Sequence, residues 1–436
     1  MRPLSRRTFI GTAAAVGTGI AVGQNALGAN AAVNVGVIGC GGRGRYLIDI
    51  FRRIREVRLV AVCDVNEPRA ADAQKAIEPA PKLYKDFREL IAHPGLNAVI
   101  IATNGHWHVL PAIHACQAGL DVYLEKPVGT SIGEGRVLVN VARQHNRVIQ
   151  VGTQQHSWEH YRQAVEIIRA GKLGDISNVH AFDLDNFSPG FGAPPDGKPP
   201  AGLDWDFWLG PSPSVAYNPN RYHQHYWFFD YGGAWELDWA VHHYDIVHWA
   251  MNVTAPVAAT GSGGKFAFPA SNTQWPDTFT GTCEYGPGPV AKNGFLMTYV
   301  SRAGCDRPIE GRRHGKVFYG TDATLALDRS GYEIYSQTRE GKKVVEERSA
   351  RSSKPENDVV EDHARGFLAA MQSRKPPNSD IESLHQASNP GHLMNIAWRV
   401  GRRVRWDAVH EQVIDDPQAQ AYVTKPYRQP WKLPVS

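Results

Sequence analysis

Short apolar segments alternate with amphipathic ones in the first third of the chain. The apolar segments predict strands at 33–38, 59–63, 98–102, 122–124 and 148–151, and the stretches between them carry apolar residues at helical spacing. Fully apolar strands separated by helices are typical of a parallel sheet that is covered on both faces. We therefore predict a doubly wound α/β domain, with its ligand site beyond the carboxyl ends of the strands.

The pattern changes in the second half of the chain. A helix is predicted at 236–251, and further helices are predicted at 358–371 and 393–400. Between them, apolar and polar positions alternate within short segments at 279–285, 295–300, 316–319 and 324–327, and Gly/Pro turns separate these segments. Such alternation is typical of half-buried strands, so we predict an antiparallel sheet here.

A glycine-rich turn follows the first predicted strand and precedes a helix. Its sequence, Gly39-Cys40-Gly41-Gly42-Arg43-Gly44, fits the pattern G-x-G-x-x-G, in which the glycines permit a tight turn and the close approach of a pyrophosphate. Asp64 ends the next strand about 20 residues further on, where an acid binds ribose hydroxyls and repels a 2′-phosphate. The spacing predicts a dinucleotide site and favours NAD over NADP. A glycine turn in some other α/β domain is the alternative.

Three polar segments follow the carboxyl ends of predicted strands. They are Thr103-Asn104-Gly105-His106-Trp107-His108, Glu125-Lys126-Pro127 and Gly152-Thr153-Gln154-Gln155-His156. Together with the glycine turn and the pattern Asp238-x-x-x-His242, they resemble the Gfo/Idh/MocA oxidoreductases from Val35 to the C-terminus. The resemblance implies a Rossmann domain followed by an α/β domain, whose large, open, mostly antiparallel sheet carries the substrate site and often the oligomer contacts.

The resemblance also implies domain limits and roles for single residues. It implies an NAD-binding domain at 32–157 and a substrate and oligomerisation domain at 158–436, of an NAD(P)-dependent oxidoreductase. Lys126, Asp238 and His242 would meet at the nicotinamide as the catalytic group. The expected cofactor contacts are Gly39, Gly41, Gly42, Arg43, Gly44, Asp64, Thr103, Asn104, His106, His108, Glu125 and Lys126.

Elementary chemistry is consistent with those catalytic roles. An alcohol that gives up hydride must also lose its hydroxyl proton, and an imidazole such as His242, with a reference pKa of about 6.5, accepts a proton near neutral pH. A helix at 236–251 would place Asp238 one turn before His242, where it could orient the ring. The ammonium of Lys126 would stabilise the developing alkoxide. The histidines at 242, 243 and 248 lack the spacing of a metal site, so no metal is predicted.

Aromatic residues concentrate in the segment 205–249. It holds 14 Phe, Trp or Tyr residues, including six of the chain's 12 tryptophans. Aromatic faces among polar groups suit a carbohydrate pocket, whereas a packed core or a subunit interface is the alternative. The candidate substrate contacts are Trp205, Trp208, Tyr231 and Trp235, together with Gln155 and Tyr161.

The balance of charged residues gives little information about function, except at the N-terminus. The 436 residues include 47 Lys+Arg and 43 Asp+Glu, and three of the excess positive charges, Arg2, Arg6 and Arg7, lie in the first 31 residues. The remainder is nearly neutral, so we predict no nucleic-acid partner. Five cysteines are too few for a disulfide scaffold. Since no stretch reaches 18 apolar residues, we predict no membrane anchor in the mature form.

Residues 1–31 have the layout of a twin-arginine-type export signal. Arg6-Arg7 precedes an apolar run at 11–23 and small residues up to Ala31. We therefore expect a periplasmic or extracellular protein, which would hold and recycle its NAD because a freely exchanging cofactor would be lost by dilution.

Three hypotheses for the function follow. The leading one is a sugar-directed oxidoreductase, which we expect to be a homo-oligomer. The second is an NAD-dependent glycoside hydrolase or lyase that acts through transient oxidation at C3. The third is a non-catalytic protein that binds a carbohydrate or the cofactor.

Overall fold

The computed structural model describes residues 32–336, 345–349 and 354–434. The predicted export signal at 1–31 lies outside the described residues. No helix in these described ranges is both long and apolar enough to cross a membrane.

A six-stranded parallel sheet comes first in the chain. Its strands lie in the order β3-β2-β1-β4-β5-β6 and are β1 (Val33–Ile38), β2 (Val57–Cys63), β3 (Lys82–Tyr84), β4 (Ala98–Ile101), β5 (Asp121–Leu124) and β6 (Ile149–Val151). The helices among them are α1 (Gly42–Phe51), α2 (Glu67–Lys75), α3 (Phe87–Ile91), α4 (Val109–Gln117) and α5 (Ile132–Gln144). The predicted doubly wound sheet is confirmed. Because β1 and β4 are neighbours, the winding reverses between them, and a crevice opens at their carboxyl ends.

The apolar run of β4 reflects burial on both faces of this sheet. Ala98 and Ile100 pack in a core with side chains of α1, whereas Val99 and Ile101 pack in another core with side chains of α4 and α5. Successive strand residues point to opposite faces, so a strand between two helical layers needs apolar residues at every position.

A ten-stranded mixed sheet makes up most of the second half. Its order is β14-β13-β12-β11-β7-β10-β9-β8-β15-β16. Within this sheet, only the pair β7 and β10 is parallel among the described residues, so the predicted mostly antiparallel sheet is confirmed. The strands are β7 (Ile176–Leu184), β8 (Ala258–Gly264), β9 (Thr278–Tyr285), β10 (Phe295–Arg302), β11 (His314–Gly320), β12 (Ala323–Asp328), β13 (Gly331–Ser336), β14 (Val345–Arg348), β15 (Val404–Asp407) and β16 (Gln412–Val413).

The remaining helices all lie in the chain after the first sheet. They are α6 (Glu159–Arg169), α7 (Trp205–Leu209), α8 (Pro219–His223), α9 (Trp235–Asp238), α10 (Val241–Met251), α11 (Glu356–Ser373), α12 (Ile381–Val400) and α13 (Pro417–Gln420). Side chains of α6, α10 and α12 form one core with the larger sheet. By contrast, α11 belongs to a core of the first sheet, in which Val360, Ala364 and Phe367 are buried together with side chains of α1 and β1.

Two helices differ from their sequence prediction. The helix predicted at 236–251 is divided into α9 and α10 by Trp239 and Ala240, and the N–H of His242 bonds the carbonyl of Trp239 at 3.1 Å rather than that of Asp238. The helix predicted from 393 begins at Ile381 and contains Pro390. The proline removes one N–H, but burial of the helix between the two sheets outweighs that loss.

Candidate active site

A cavity of about 560 Å³ lies at the carboxyl ends of the first sheet; we call it the catalytic cavity. The glycine turn and the loops after β4 and β5 form one side of its wall, and residues of α9 and α10 form the other. The sequence-predicted residues in its wall are Gly41, Gly42, Arg43, Thr103, Asn104, His108, Glu125, Lys126, Trp208, Asp238 and His242. Segments more than 100 residues apart in sequence therefore meet here.

The glycine turn is close-packed on its inner side and open on its outer side. Gly39 has a φ of +91°, and a Cβ on Gly44 would lie 1.9 Å from the carbonyl oxygen of Gly39. A Cβ on Gly42, in contrast, would meet nothing within 4 Å. Gly41 caps α1 without a side-chain hydrogen bond, so the N–H groups of the first turn have no capping side chain. Gly41, Gly42 and Arg43 of this turn line the catalytic cavity. This arrangement fits the pyrophosphate of a dinucleotide.

Asp64 lies beside the glycine turn. It follows β2 and lines a smaller cavity next to the catalytic one, together with Gly39. Its carboxylate accepts hydrogen bonds from the backbone N–H of Cys40 at 2.7 Å and of Asn66 at 2.8 Å, which leaves acceptor capacity for ribose hydroxyls. The guanidinium of Arg69 lines both cavities, so an anion and a cation lie at the same end of the site.

Lys126 and Asp238 are joined across the catalytic cavity. The ammonium of Lys126 donates to the backbone carbonyl of Asp238, while the carboxylate of Asp238 accepts from the N–H of Gly233 at 3.0 Å. Burial lowers the pKa of Lys126, against the opposing charge of Asp238. Burial also raises the pKa of Asp238 to about 6, against the opposing charge of Lys126. Both groups therefore titrate closer to neutrality than they would in water.

His242 is a buried, neutral imidazole. Its Nδ1 has no hydrogen-bond partner among the described residues. Burial lowers its pKa well below the ordinary range, and the positive charge of Lys126 adds to that effect. No hydrogen bond joins Asp238 to His242 in the described part of the chain, because the break between α9 and α10 separates them and Asp238 bonds Gly233 instead.

Two contacts fix the loops around Lys126. The carboxylate of Glu125 accepts from Nε of Arg43 at 2.7 Å, which ties the loop after β5 to α1. The ring of His108 lies within hydrogen-bond distance of the carbonyls of Pro127 (2.7 Å) and Thr103 (3.1 Å). These contacts hold α1 and the segments after β4 and β5 in one arrangement.

Several predicted site residues lie outside the catalytic cavity. His106 is buried, with Nε2 2.9 Å from the carbonyl of Trp208, and it borders a different cavity. Tyr161 is fully buried in the core beneath the larger sheet, and Gln155 is buried as the acceptor for Lys316 at 2.9 Å. Tyr231 packs against His106 and Trp208. For these residues the structure favours the alternative of a packed core over a substrate contact, because other parts of the protein cover their side chains.

Trp205 and Trp235, the other two tryptophans predicted as substrate contacts, have different surroundings. Trp205 stacks on Trp208 with ring centres 4.5 Å apart. It therefore packs against a residue of the catalytic cavity wall without belonging to that wall. Trp235 lines a separate cavity that adjoins the catalytic one.

Sequence reasoning missed part of the wall. The additional residues are Arg69, Gln154, Tyr222, His223, His225, Tyr226, Trp239, Arg329 and Glu356. Arg329 and Glu356 form an ion pair at 2.9 Å, but they follow different elements and no local pattern connects them. Some of them had a nearby signal, because Gln154 belongs to a strand-end segment and Tyr222, Tyr226 and Trp239 belong to the aromatic segment 205–249. The described ranges contain no cluster of three His, Cys, Asp or Glu side chains that could hold a metal ion.

Sequence comparisons cover both parts of the chain. Residues 33–153 match an oxidoreductase family with an NAD-binding Rossmann fold, and residues 139–260 match the C-terminal alpha/beta domain of that family. The chain is 29% identical over 204 residues to a glycosyl hydrolase family 109 protein of Saccharopolyspora erythraea (40% of this chain, 44% of that protein). It is 32% identical over 150 residues to an inositol 2-dehydrogenase of Burkholderia multivorans (34% and 44%). The match thus spans less than half the length of these curated relatives.

Solved structures share the fold over most of the chain. A levoglucosan dehydrogenase in complex with NADH and L-sorbose matches with a TM-score of 0.66 and 17% identity, covering 86% of this chain and 99% of that one. A myo-inositol 2-dehydrogenase from Lactobacillus plantarum matches with a TM-score of 0.61 and 19% identity, over 86% and 99%. The two-sheet architecture is therefore that of known dehydrogenase structures.

Proposed function

The chain belongs to the Gfo/Idh/MocA oxidoreductase family, and from that premise we propose that it transfers hydride between a carbohydrate hydroxyl carbon and a tightly bound nicotinamide cofactor. One observation carries the proposal. The glycine turn that fits a dinucleotide and the groups Lys126, Asp238 and His242 line a single cavity. A sugar beside the nicotinamide would thus meet a cation and a neutral imidazole together.

The chemistry divides among these three groups. The nicotinamide, when bound, accepts or donates the hydride. His242 lines the catalytic cavity as a neutral imidazole and is suited to take the hydroxyl proton. Lys126 is suited to hold the oxygen and stabilise negative charge on it. Asp238 keeps a negative charge beside Lys126, which supports the protonated form of the lysine.

A second candidate is a glycoside hydrolase or lyase that oxidises C3 transiently and then restores it. Oxidation at C3 acidifies the C2 proton, so this reaction requires an additional base. The catalytic cavity carries further proton-transfer groups, among them His223, His225 and Tyr226. Burial lowers the pKa of His225 to about 3, so its ring is neutral. Both reactions use the same hydride chemistry and differ in whether the glycosidic bond breaks.

A strap formed by residues 202–222 supports tight retention of the cofactor. It crosses the adenosine end of the site, where Lys85 pairs with Asp204 at 2.9 Å and Asn66 donates to the hydroxyl of Tyr222 at 2.9 Å. The carbonyl of Trp208 accepts from the indole N–H of Trp107 at 2.8 Å. Phe207, Trp208 and Tyr222 also line the cavity beside Asp64. We propose that the cofactor is enclosed by this strap, that it is NAD because of Asp64, and that the enzyme is exported with it.

The strap yields a testable prediction. Replacing Asp204 with alanine removes both the pair with Lys85 and the N-cap of α7, where Asp204 accepts from Phe207 at 3.0 Å. The loss of both contacts should destabilise the closed strap by about 1–2 kcal/mol, which corresponds to roughly tenfold faster release of the cofactor. The release rate is measured from the nicotinamide fluorescence after dilution. Asp206→Ala is the matched control, since Asp206 lies on the same helix but pairs with Arg428. Equal release rates in the two variants would contradict the role of the strap.

Acid pH should inactivate the enzyme through Asp238. Its pKa is raised to about 6 by burial, so the carboxylate becomes protonated as the pH falls through that value and Lys126 loses its charged partner. We expect kcat/KM to fall below pH about 6. In Asp238→Asn, activity at neutral pH should be lower and this acid limb should vanish. A profile unchanged by the substitution would show that another group titrates.

The proposed function is tested on the purified protein. Mass spectrometry of molecules released on denaturation should detect NAD, and hexoses or their glycosides added to the intact protein should change the absorbance of the bound nicotinamide. Release of aglycone from aryl glycosides without net NADH would favour the second candidate. Protein that contains no nicotinamide and binds none in titration would overturn both, and binding of sugar without any turnover would favour a non-catalytic role. The expected homo-oligomer stays a prediction, for light scattering to test.

A further inference from the structure

A second cavity adjoins the catalytic cavity at the end of β7. It has a volume of about 490 Å³, and its wall includes Asp185, Trp235, Arg313 and His314; we call it the distal cavity. Tyr226 and Trp239 belong to the walls of both cavities. The volume lies within the roughly 300–1,000 Å³ of small-molecule sites. A ligand held at Lys126 could therefore extend past these two aromatic side chains into a second compartment.

Trp239, one of the two side chains between the catalytic and distal cavities, is unusually exposed for a tryptophan. It is 41% exposed, whereas Trp227 and Trp235 in the same segment are 2% and 4% exposed. Its ring centre lies 5.5 Å from Nζ of Lys126, so the exposed indole directly neighbours the reactive end of the catalytic cavity. Burial is the usual fate of tryptophan, and an exposed aromatic ring between two cavities offers a surface for the C–H face of a sugar.

The polar groups of the distal cavity favour an uncharged ligand. Nη2 of Arg313 lies 2.8 Å from the carboxylate of Asp185, so the two charges offset each other. Burial lowers the pKa of His314, which keeps its ring neutral. The indole N–H of Trp235 is buried and has no hydrogen-bond partner among the described residues. A second wall carboxylate, Asp183, is buried and already bonded by the hydroxyl of Tyr299 at 3.0 Å and by Nε2 of His243 at 3.1 Å. The remaining donors and acceptors match the hydroxyl groups of a neutral sugar.

We propose that the distal cavity is a second sugar subsite, so that the substrate is a disaccharide or longer glycoside whose reacting unit occupies the catalytic cavity. This inference rests on the proposed function and adds the substrate class to it. The second unit would lie past Trp239 and Tyr226 and bond the Asp185 and Arg313 pair.

Two carboxylates provide a matched test. Asp185 and Asp306 both pair with Arg313, at 2.8 and 3.2 Å, but only Asp185 belongs to the wall of the distal cavity. The substrates are methyl glycosides of common hexoses and N-acetylhexosamines and the matching disaccharides, with the bound nicotinamide as the readout. For the wild type we expect kcat/KM at least about tenfold higher with the disaccharide. Asp185→Asn should lower kcat/KM about tenfold for the disaccharide, mainly through a higher KM. For the methyl glycoside, kcat/KM should change by less than about twofold.

The outcomes are separable. Asp306→Asn should leave both substrates within about twofold of the wild type. Equal kcat/KM for methyl glycosides and disaccharides, or an equal loss on both in Asp185→Asn, overturns the distal subsite while the oxidoreductase stands. If no sugar of either length changes the bound nicotinamide, the proposed function falls and this inference falls with it.

Discussion

Replacing Lys126 with methionine should lower sugar turnover about 10³-fold while the purified protein keeps its nicotinamide. Methionine preserves much of the length and apolar stem of the side chain and removes the ammonium that donates to the carbonyl of Asp238. The loss should appear in kcat, because the charge on the reacting oxygen develops mainly in the transition state. Cofactor content should persist since the glycine turn and the strap at 202–222 are untouched. Single-turnover absorbance of the nicotinamide measures the rate, and mass spectrometry measures the content.

Lys425 supplies the matched control for this substitution. Like Lys126, it is a lysine whose pKa is lowered by burial and whose ammonium donates to a backbone carbonyl, here that of Phe229 at 2.6 Å. It lies in the wall of another cavity. Lys425→Met should therefore cost stability but little turnover per folded molecule. If both variants lose activity equally, the effect of Lys126 is structural and its catalytic role is refuted.

The first sheet could be predicted from the sequence because its signals are local. The run at β4 is apolar at every position since both faces are buried, and the glycine turn stands directly between a strand and a helix. The same locality explains why Gly41 and Lys126 were predicted to share a site, because both follow strand ends and the carboxyl ends of parallel strands meet at one edge. That Asp238 and His242 join them was implied by the family resemblance, since they lie more than 100 residues further along the chain.

The rest of the site depends on contacts distant in sequence. Arg329 and Glu356 enter the catalytic cavity from different elements, and they are paired only by the fold. Among the aromatic residues, burial separates Trp239 from Trp235, and composition alone does not distinguish them. Pro390 shows the same limit for helices, since the packing that keeps α12 continuous comes from both sheets. Local propensity is therefore overridden where tertiary contacts are dense.

Replacing Gly44 with alanine should abolish cofactor retention. The new Cβ would lie 1.9 Å from the carbonyl oxygen of Gly39, and this contact is between α1 and its own preceding turn, so no flexible side chain can move to relieve it. Either α1 shifts away from β1 or the turn opens, at a cost of about 1–3 kcal/mol in unfolding free energy. Both movements displace the N–H groups that face the pyrophosphate. We expect cofactor content to fall at least about a hundredfold, because direct backbone contacts to the phosphates would be lost together.

Two neighbouring glycines separate packing from cofactor contact. Gly42→Ala places its Cβ where no protein atom lies within 4 Å, so unfolding free energy should remain close to the wild type and any loss of nicotinamide would report cofactor contact alone. Gly41→Ala would meet only the guanidinium of Arg69, at 3.7 Å. It should therefore fold normally but hold the cofactor more weakly if the pyrophosphate approaches the backbone at this position. Denaturant unfolding of cofactor-free protein and mass spectrometry of released nicotinamide measure the two effects independently. If Gly44→Ala retains its cofactor, or Gly41→Ala and Gly42→Ala both retain it as well as the wild type, the pyrophosphate does not lie on this turn and the dinucleotide site must be sought elsewhere in the crevice.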